Sequence, residues 1–190
     1  MLQSLLERTA KSLEKRGLPF MIIGGQAAFA HGEPRASKDI GIALGFGPES
    51  VKAVCEVMRE VGLTSLADSP EQYVAETYVL PCLHEKAGIR VGFIFTLTGY
   101  EARAIQRAIP RKVGKTLIPF ASPEDLIIEK VFSGGQQDLD DAQGMLLRHK
   151  GLDLEYIREI LLNLEQALGL TLLARFDAIA AAHEDSDVRK

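Results

Sequence analysis

A short apolar segment that ends on two glycines, PFMIIGG at residues 19–25, constrains the fold of this chain more than any other feature. Its uninterrupted apolar residues predict a buried strand, and the glycine pair predicts that the strand ends abruptly. The alanine-rich segment QAAFAHG at 26–32 follows at once and predicts a short helix packed close behind the strand. The sequence therefore begins an α/β core.

Two later segments alternate in a way that predicts strands with a glycine on one face. In DIGIAL at 39–44, Asp39 and Gly41 fall on the face opposite the isoleucines. In IRVGFIF at 89–95, Gly92 falls on the face opposite the valine and phenylalanines. Glycine inside a strand is typical of a bulge or of a close backbone approach. In DIGIAL the face that carries Gly41 is free of large side chains.

The remaining periodic segments divide the chain into a mixed first part and a helical second part. Apolar spacing predicts helices over 1–16, 48–62 and 99–108, and strands over 77–83 and 115–121. Ser122 can cap a helix and Pro123 fits its first turn, so a helical region is expected to start there. It comprises 123–132, 137–148, 153–168 and 171–182. We therefore expect an α/β core over 1–121 and a C-terminal helical region over 122–190 that packs on it.

Composition excludes several classes of protein. With 190 residues, 46% hydrophobic and 25% charged, the chain can bury the core of a globular protein. A net charge of −4 argues against a wide nucleic-acid groove. Cys55 and Cys82 have neither CxxC spacing nor further partners, which argues against a disulfide framework or a zinc site and favours the cytoplasm. No apolar run approaches the roughly 18 residues needed to span a bilayer, and charges among the leucines of 1–16 indicate an amphipathic helix rather than a signal peptide.

The order of strand, glycine pair, short helix and carboxylate suits a nucleoside triphosphate. Gly24 and Gly25 would let backbone N–H groups approach phosphate closely, and the helix would present its positive end to the anion. Asp39, at the start of the neighbouring strand, could hold Mg²⁺, which bridges phosphates and activates an attacking hydroxyl.

The stretch GGQAAFAHGEPRASKDIGIAL at 24–44 resembles the nucleotidyltransferase superfamily, whose members carry Gly-Gly or Gly-Ser after the first strand and Asp-x-Asp on the second. The closer resemblance is to minimal nucleotidyltransferases and to toxin nucleotidyltransferases of the abortive-infection type. It continues through SPEDLIIEK at 122–130 and QDLDDAQGML at 137–146. The resemblance implies a nucleotidyltransferase fold, with a mixed sheet flanked by helices and a helical region after it.

The resemblance also implies a role for each residue that matches its pattern. Gly24, Gly25, Arg35 and Lys38 would contact the triphosphate, and Asp39 would hold the metal. The family chemistry is Mg²⁺-dependent transfer of a nucleotidyl group from an NTP to a hydroxyl of an RNA such as tRNA, a protein or a small molecule.

In the helical region the resemblance assigns three more residues. Lys130 would neutralise phosphate charge, and Asp138 and Asp141 would form an acidic pair that helps to build the site. Each also has a simpler interpretation, because a helix lysine is often solvated and acids in a first helical turn are favourable by themselves.

Two expected metal carboxylates are replaced by Gly41 and Gly92, so we expect transfer to be strongly impaired. One alternative is rescue by acids from elsewhere, such as Asp138 and Asp141. Another is a non-catalytic nucleotide-binding or protein-interaction module, a pseudoenzyme of a toxin–antitoxin or phage-defence system with a cognate antitoxin as its partner. A third is that the glycines were engineered into an active parent. A homo-oligomer is compatible with each of these.

Overall fold

The computed structural model of the chain describes residues 1–32 and 37–187. Close contacts divide the chain into two units, Met1–Ala121 and a second that begins at Ser122. The strands of the first unit are β1 (Phe20–Ile23), β2 (Ile40–Leu44), β3 (Thr64–Ser65), β4 (Val79–His84), β5 (Ile89–Ile94), β6 (Ile109–Val113) and β7 (Thr116–Phe120). They form one sheet in the order β3-β4-β5-β2-β1-β7-β6.

The sheet is mixed, and the predicted strands β5, β2 and β1 lie at its centre. β2 runs antiparallel to β1 and parallel to β5, and β1 runs parallel to β7. The outer pairs β3·β4, β4·β5 and β6·β7 are antiparallel. Met21, Ile22 and Ile42 on the central strands are fully buried. The predicted mixed α/β architecture is confirmed.

Five helices of the first unit flank this sheet in the described residues. They are α1 (Leu2–Lys15), α2 (Gly24–Ala30), α3 (Val51–Val61), α4 (Pro70–Thr77) and α5 (Tyr100–Gln106). α1 lies against α3, where Arg16 forms an ion pair of 2.6 Å with Glu60. The hydrogen bond from Arg16 holds the pKa of the Glu60 carboxyl below its usual value.

Three elements of the first unit, α4, β3 and β6, were not predicted. The predicted strand at 77–83 begins later, because Thr77 still belongs to α4. The signal for α4 is the run Ser69-Pro70-Glu71, which repeats the helix start at Ser122. β3 has only two residues, and β6 is an edge strand whose middle residues are exposed, so neither shows apolar alternation.

The second unit is helical in its described residues. Its helices are α6 (Pro123–Ser133), α7 (Gln136–Arg148), α8 (Leu154–Leu168) and α9 (Leu173–Asp187). The predicted helices over 123–132, 137–148 and 153–168 match these bounds within about one residue. Among the helices that are described in either unit, none is long and apolar enough to cross a membrane.

A buried carboxylate joins α6 to α8. Asp125 is fully buried, and its two oxygens accept hydrogen bonds from the Ser122 hydroxyl at 2.7 Å and the Tyr156 hydroxyl at 2.8 Å. Ser122 also caps α6, because its oxygen accepts from the Asp125 N–H at 3.1 Å. A buried carboxylate is costly without such donors, so this cluster fixes the start of α6 against α8.

Replacing Tyr156 by phenylalanine should lower the free energy of unfolding by about 1–3 kcal/mol, because a donor to a buried carboxylate is lost while the ring is kept. Urea unfolding followed by circular dichroism measures the change. Tyr73→Phe is the control, since Tyr73 is 41% exposed and should tolerate the change within about 0.5 kcal/mol. Equal effects of the two variants would contradict a structural role for the Tyr156 hydroxyl.

Candidate functional site

The first unit contains a pocket of about 440 Å³ at the place where β1 ends and β2 begins. This volume falls within the range of roughly 300–1,000 Å³ that is typical of small-molecule sites. Four glycines contribute to its lining, namely Gly24, Gly25, Gly41 and Gly92. The structure therefore brings the glycine pair after β1 together with both glycines that stand at expected carboxylate positions.

Gly41 and Gly92 lie next to each other in the sheet. They are register partners in the parallel pairing of β2 with β5. The same row continues to Ile23 beside Gly41 and to Pro81 beside Gly92. Paired residues carry their side chains on the same face of a sheet. The centre of the pocket floor is therefore bare backbone.

The two glycines differ in the room around them. A Cβ on Gly92 would meet only the Cδ1 of Ile94, at 3.8 Å, which is an ordinary contact. A Cβ on Gly41 would lie 2.8 Å from the Cγ1 of Ile23, so Ile23 would have to move. A Cβ therefore fits at position 92, whereas at position 41 it requires the Ile23 side chain to move.

The glycine pair after β1 shapes the loop that carries Asp39. Gly24 has φ +64, a left-handed conformation that glycine adopts without strain. A Cβ on Gly25 would lie 2.3 Å from the Cβ of Ser37, so only glycine lets this loop close on α2. The Gln26 side-chain amide also donates a hydrogen bond to the Ser37 carbonyl. Close packing is thus one reason for Gly25, alongside the predicted contact with phosphate.

Asp39 is held at the pocket by its backbone. Its N–H donates to the Ser37 hydroxyl at 3.1 Å, a local turn that precedes β2. Asp39 is exposed, and its carboxylate has no hydrogen-bond or ion-pair partner among the described residues. Lys38 is exposed beside it but does not line the described part of the pocket. Arg35 lies outside the described residues.

Arg90 is a pocket residue that the sequence patterns did not single out. It lines the pocket, is exposed, and shares its face of β5 with Gly92. Val91 is the register partner of Ile40, so the residues before them, Arg90 and Asp39, lie side by side. They are the charged side chains among the described residues of the lining. The sequence signal for Arg90 was the alternation of IRVGFIF, which places it on the same strand face as Gly92.

Part of the pocket lining is apolar. Leu66 is 54% exposed, and its N–H donates to the Pro81 carbonyl at 2.8 Å. Cys82 also lines the pocket, but burial, followed by the influence of Cys55, raises the pKa of its thiol to about 12. The thiol stays protonated at neutral pH and offers no nucleophile. The lining thus has an apolar part and a part that consists of glycines, Ser37, Asp39 and Arg90.

Solved structures with a similar fold are nucleotidyltransferases. The solution structure of the antibiotic-resistance factor ANT(2'')-Ia covers 99% of this chain and 97% of its own, with 14% identity and a TM-score of 0.59. An antigenic nucleotidyltransferase-like protein from Paracoccidioides brasiliensis covers 88% of each chain, with 16% identity and a TM-score of 0.53. The lincosamide antibiotic adenylyltransferase LnuA, lincomycin-bound, covers 75% of this chain and 94% of its own, with 14% identity and a TM-score of 0.52.

The chain has a nucleotidyltransferase fold. The predicted fold is confirmed by these similarities, which at such low identity concern the fold alone. No protein-family model matches the sequence, and comparison with curated proteins finds no match.

The three residues that the resemblance assigns in the helical region are brought together within the second unit. Lys130 is 7% exposed, and its ammonium lies 2.6 Å from Asp141 and 3.4 Å from Asp138. Lys130 lies on α6 and both acids on α7, so the cluster joins the two helices. Both carboxylates thus form ion pairs with Lys130. A role for these three residues at phosphate or metal stays a prediction.

The Mg²⁺ that the resemblance implies finds few ligands in this nucleotidyltransferase fold. Asp39 is the single carboxylate among the described lining residues, and Arg90 adds a positive charge to the same lining. Across the described part of the chain, no three His, Cys, Asp or Glu side chains are grouped to hold a metal ion. A two-metal site needs several oxygen ligands at fixed positions, so these residues do not fit one.

Gly41→Ala and Gly92→Ala should change stability in opposite directions. Gly92→Ala should raise the free energy of unfolding by about 0.5–1 kcal/mol, because alanine costs less entropy in a strand and finds room there. Gly41→Ala should lower it by about 1–3 kcal/mol through the close contact with Ile23. Urea unfolding measures both changes, and an Ile23→Ala background should remove the penalty at position 41. Equal effects at both glycines would contradict the described geometry.

Asp141→Asn should destabilise the second unit more than Asp138→Asn does. The ammonium of Lys130 is nearly buried and lies 0.8 Å closer to Asp141, as the distances of 2.6 and 3.4 Å show. We expect losses of about 1–3 kcal/mol for Asp141→Asn and under about 1 kcal/mol for Asp138→Asn, measured by thermal unfolding. The reverse order would contradict Asp141 as the main partner of Lys130.

Proposed function

We propose that this chain binds a nucleoside triphosphate in the pocket of its first unit and is strongly impaired in transferring the nucleotidyl group to a hydroxyl acceptor. The observation that carries the proposal is the pairing of Gly41 with Gly92 on the pocket floor. Both stand where the resemblance expects metal carboxylates, and Asp39 beside them is the remaining acid.

Several features support retained nucleotide binding. The bare floor at Gly41 and Gly92 leaves space for phosphate, and the volume of about 440 Å³ suits a small ligand. Leu66 and Pro81 provide an apolar wall against which a nucleobase can pack. The chain also shares its fold with nucleotidyltransferases, which supports a nucleotide as the ligand.

Impaired transfer follows from the charges that the reaction develops. The attacking hydroxyl and the leaving pyrophosphate both carry growing negative charge, which fixed cations must stabilise. One carboxylate cannot anchor two metal ions at fixed positions. Rescue by Asp138 and Asp141 would draw on carboxylates that already neutralise Lys130, whose ammonium is nearly buried between α6 and α7.

The hydroxyl acceptor should be sought in a panel that contains small molecules, RNA and protein. ANT(2'')-Ia is solved with adenylyl-2''-tobramycin, and LnuA with lincomycin, so hydroxyl-bearing antibiotics belong beside tRNA and protein. A cognate antitoxin would be the partner if the chain acts in a toxin–antitoxin pair.

The unmodified chain should transfer no measurable label from α-labelled NTPs to tobramycin, lincomycin, tRNA or a protein pool with Mg²⁺ or Mn²⁺. Restoring the acids should raise transfer at least about 100-fold, because fixed charges at the reacting oxygens contribute on this scale. The variant for this test is Gly41→Asp/Gly92→Asp with Ile23→Ala, which makes room at position 41. Transfer is measured by autoradiography of the separated acceptors.

Two controls decide the result. Asp39→Ala in the restored variant should abolish transfer, and Leu117→Asp, at a 64% exposed strand position outside the pocket lining, should gain none. Transfer by the unmodified chain that Asp39→Ala removes would overturn the impairment. A folded restored variant that binds NTP without transferring it would favour a non-catalytic nucleotide-binding module instead.

A further inference from the structure

Arg90 places a positive charge in the pocket lining, near the positions at which the resemblance expects metal ligands. Arg90 lies beside Asp39 on neighbouring strands, and Gly92 follows two residues later on the same face of β5. Two residues of strand span about 6.6 Å, a distance that a long arginine side chain can cover. Gly41 and Gly92 add no side chains to the pocket lining, so a bound group can approach the backbone there.

The guanidinium of Arg90 is available to a ligand. Arg90 is exposed, and no hydrogen bond or ion pair of its side chain occurs among the described residues. Arginine is always charged and presents its donors in a planar fork that matches phosphate oxygens in pairs. A divalent cation at Asp39 would instead meet a positive charge on the adjacent strand.

We propose that Arg90, rather than a metal ion, supplies the positive charge of this pocket, so that the pocket binds the phosphates of a nucleotide without a divalent cation. This inference rests on the proposed nucleotide binding and deepens it. Asp39 then opposes the ligand's charge, which is the reverse of the role that a metal site would give it.

Isothermal titration of the full chain with ATP, and separately with inorganic triphosphate, tests the proposal in EDTA and in excess Mg²⁺. ATP should bind in EDTA, and Arg90→Gln should weaken binding about 10- to 100-fold, the usual worth of charged hydrogen bonds. Arg90→Lys should weaken it less, because it keeps the charge and loses the fork. Asp39→Asn should tighten binding in EDTA. Triphosphate should compete with ATP if the phosphates are the recognised part.

The matched control is Lys86→Gln, which removes the same charge from an exposed position in the turn between β4 and β5 and outside the pocket lining. It should leave ATP binding unchanged, and circular dichroism should show that all variants are folded. Binding that requires Mg²⁺, is lost with Asp39→Asn and ignores Arg90→Gln would overturn this inference while the proposed function stands. Absence of ATP binding in both conditions would overturn the proposed function itself.

Discussion

The placement of β2 between β1 and β5 is the constraint on which the pocket depends. Its antiparallel register with β1 sets Gly41 beside Ile23, and its parallel register with β5 sets Gly41 beside Gly92. A slip by one residue in either pairing would turn the glycines to the opposite face. The register is held by the fully buried Ile42 and Phe93, which are partners on that opposite face. Packing in the core thus determines where the bare floor lies.

Glycine at positions 41 and 92, where the resemblance expects carboxylates, affects the electrostatic character of the pocket as well as the ligands that it offers. Three acids on neighbouring positions would repel a triphosphate unless cations intervened, since unit charges 4 Å apart interact by about 4 kcal/mol near a protein surface. In this chain Asp39 and Arg90 are adjacent, and their formal charges cancel. A lining whose described residues carry no net formal charge does not repel an anion as three acids would, which supports the proposed binding without a metal ion. The same glycines offer no carboxylate to hold a metal ion for transfer.

The sequence predicted the centre of the fold better than its edges, for physical reasons. PFMIIGG and DIGIAL form strands buried on the core side, so their apolar patterns are strong. β6 lies at the edge of the sheet, where Arg111 and Lys112 are exposed, and such charged edges discourage pairing with other chains while hiding the strand pattern. The floor at Gly41 and Gly92 could be placed by alternation and resemblance. The place of Arg90 in the pocket could not be predicted, because it depends on the register between β2 and β5.

The sequence also could not show what Lys130 contacts, and this contact limits the ways in which the site could be completed. A lysine that is 7% exposed needs compensating charge, and the structure supplies it from Asp141 and Asp138 on the next helix. Both acids are part-exposed, so removing either one should cost less than removing a partner from a fully buried ion pair. Each acid has one carboxylate oxygen paired with Lys130, so a metal ion would compete with the ammonium for these carboxylates. A role for these acids at a metal would therefore weaken the ion pairs that neutralise Lys130, whereas the proposed recognition of phosphate by Arg90 leaves this cluster unchanged.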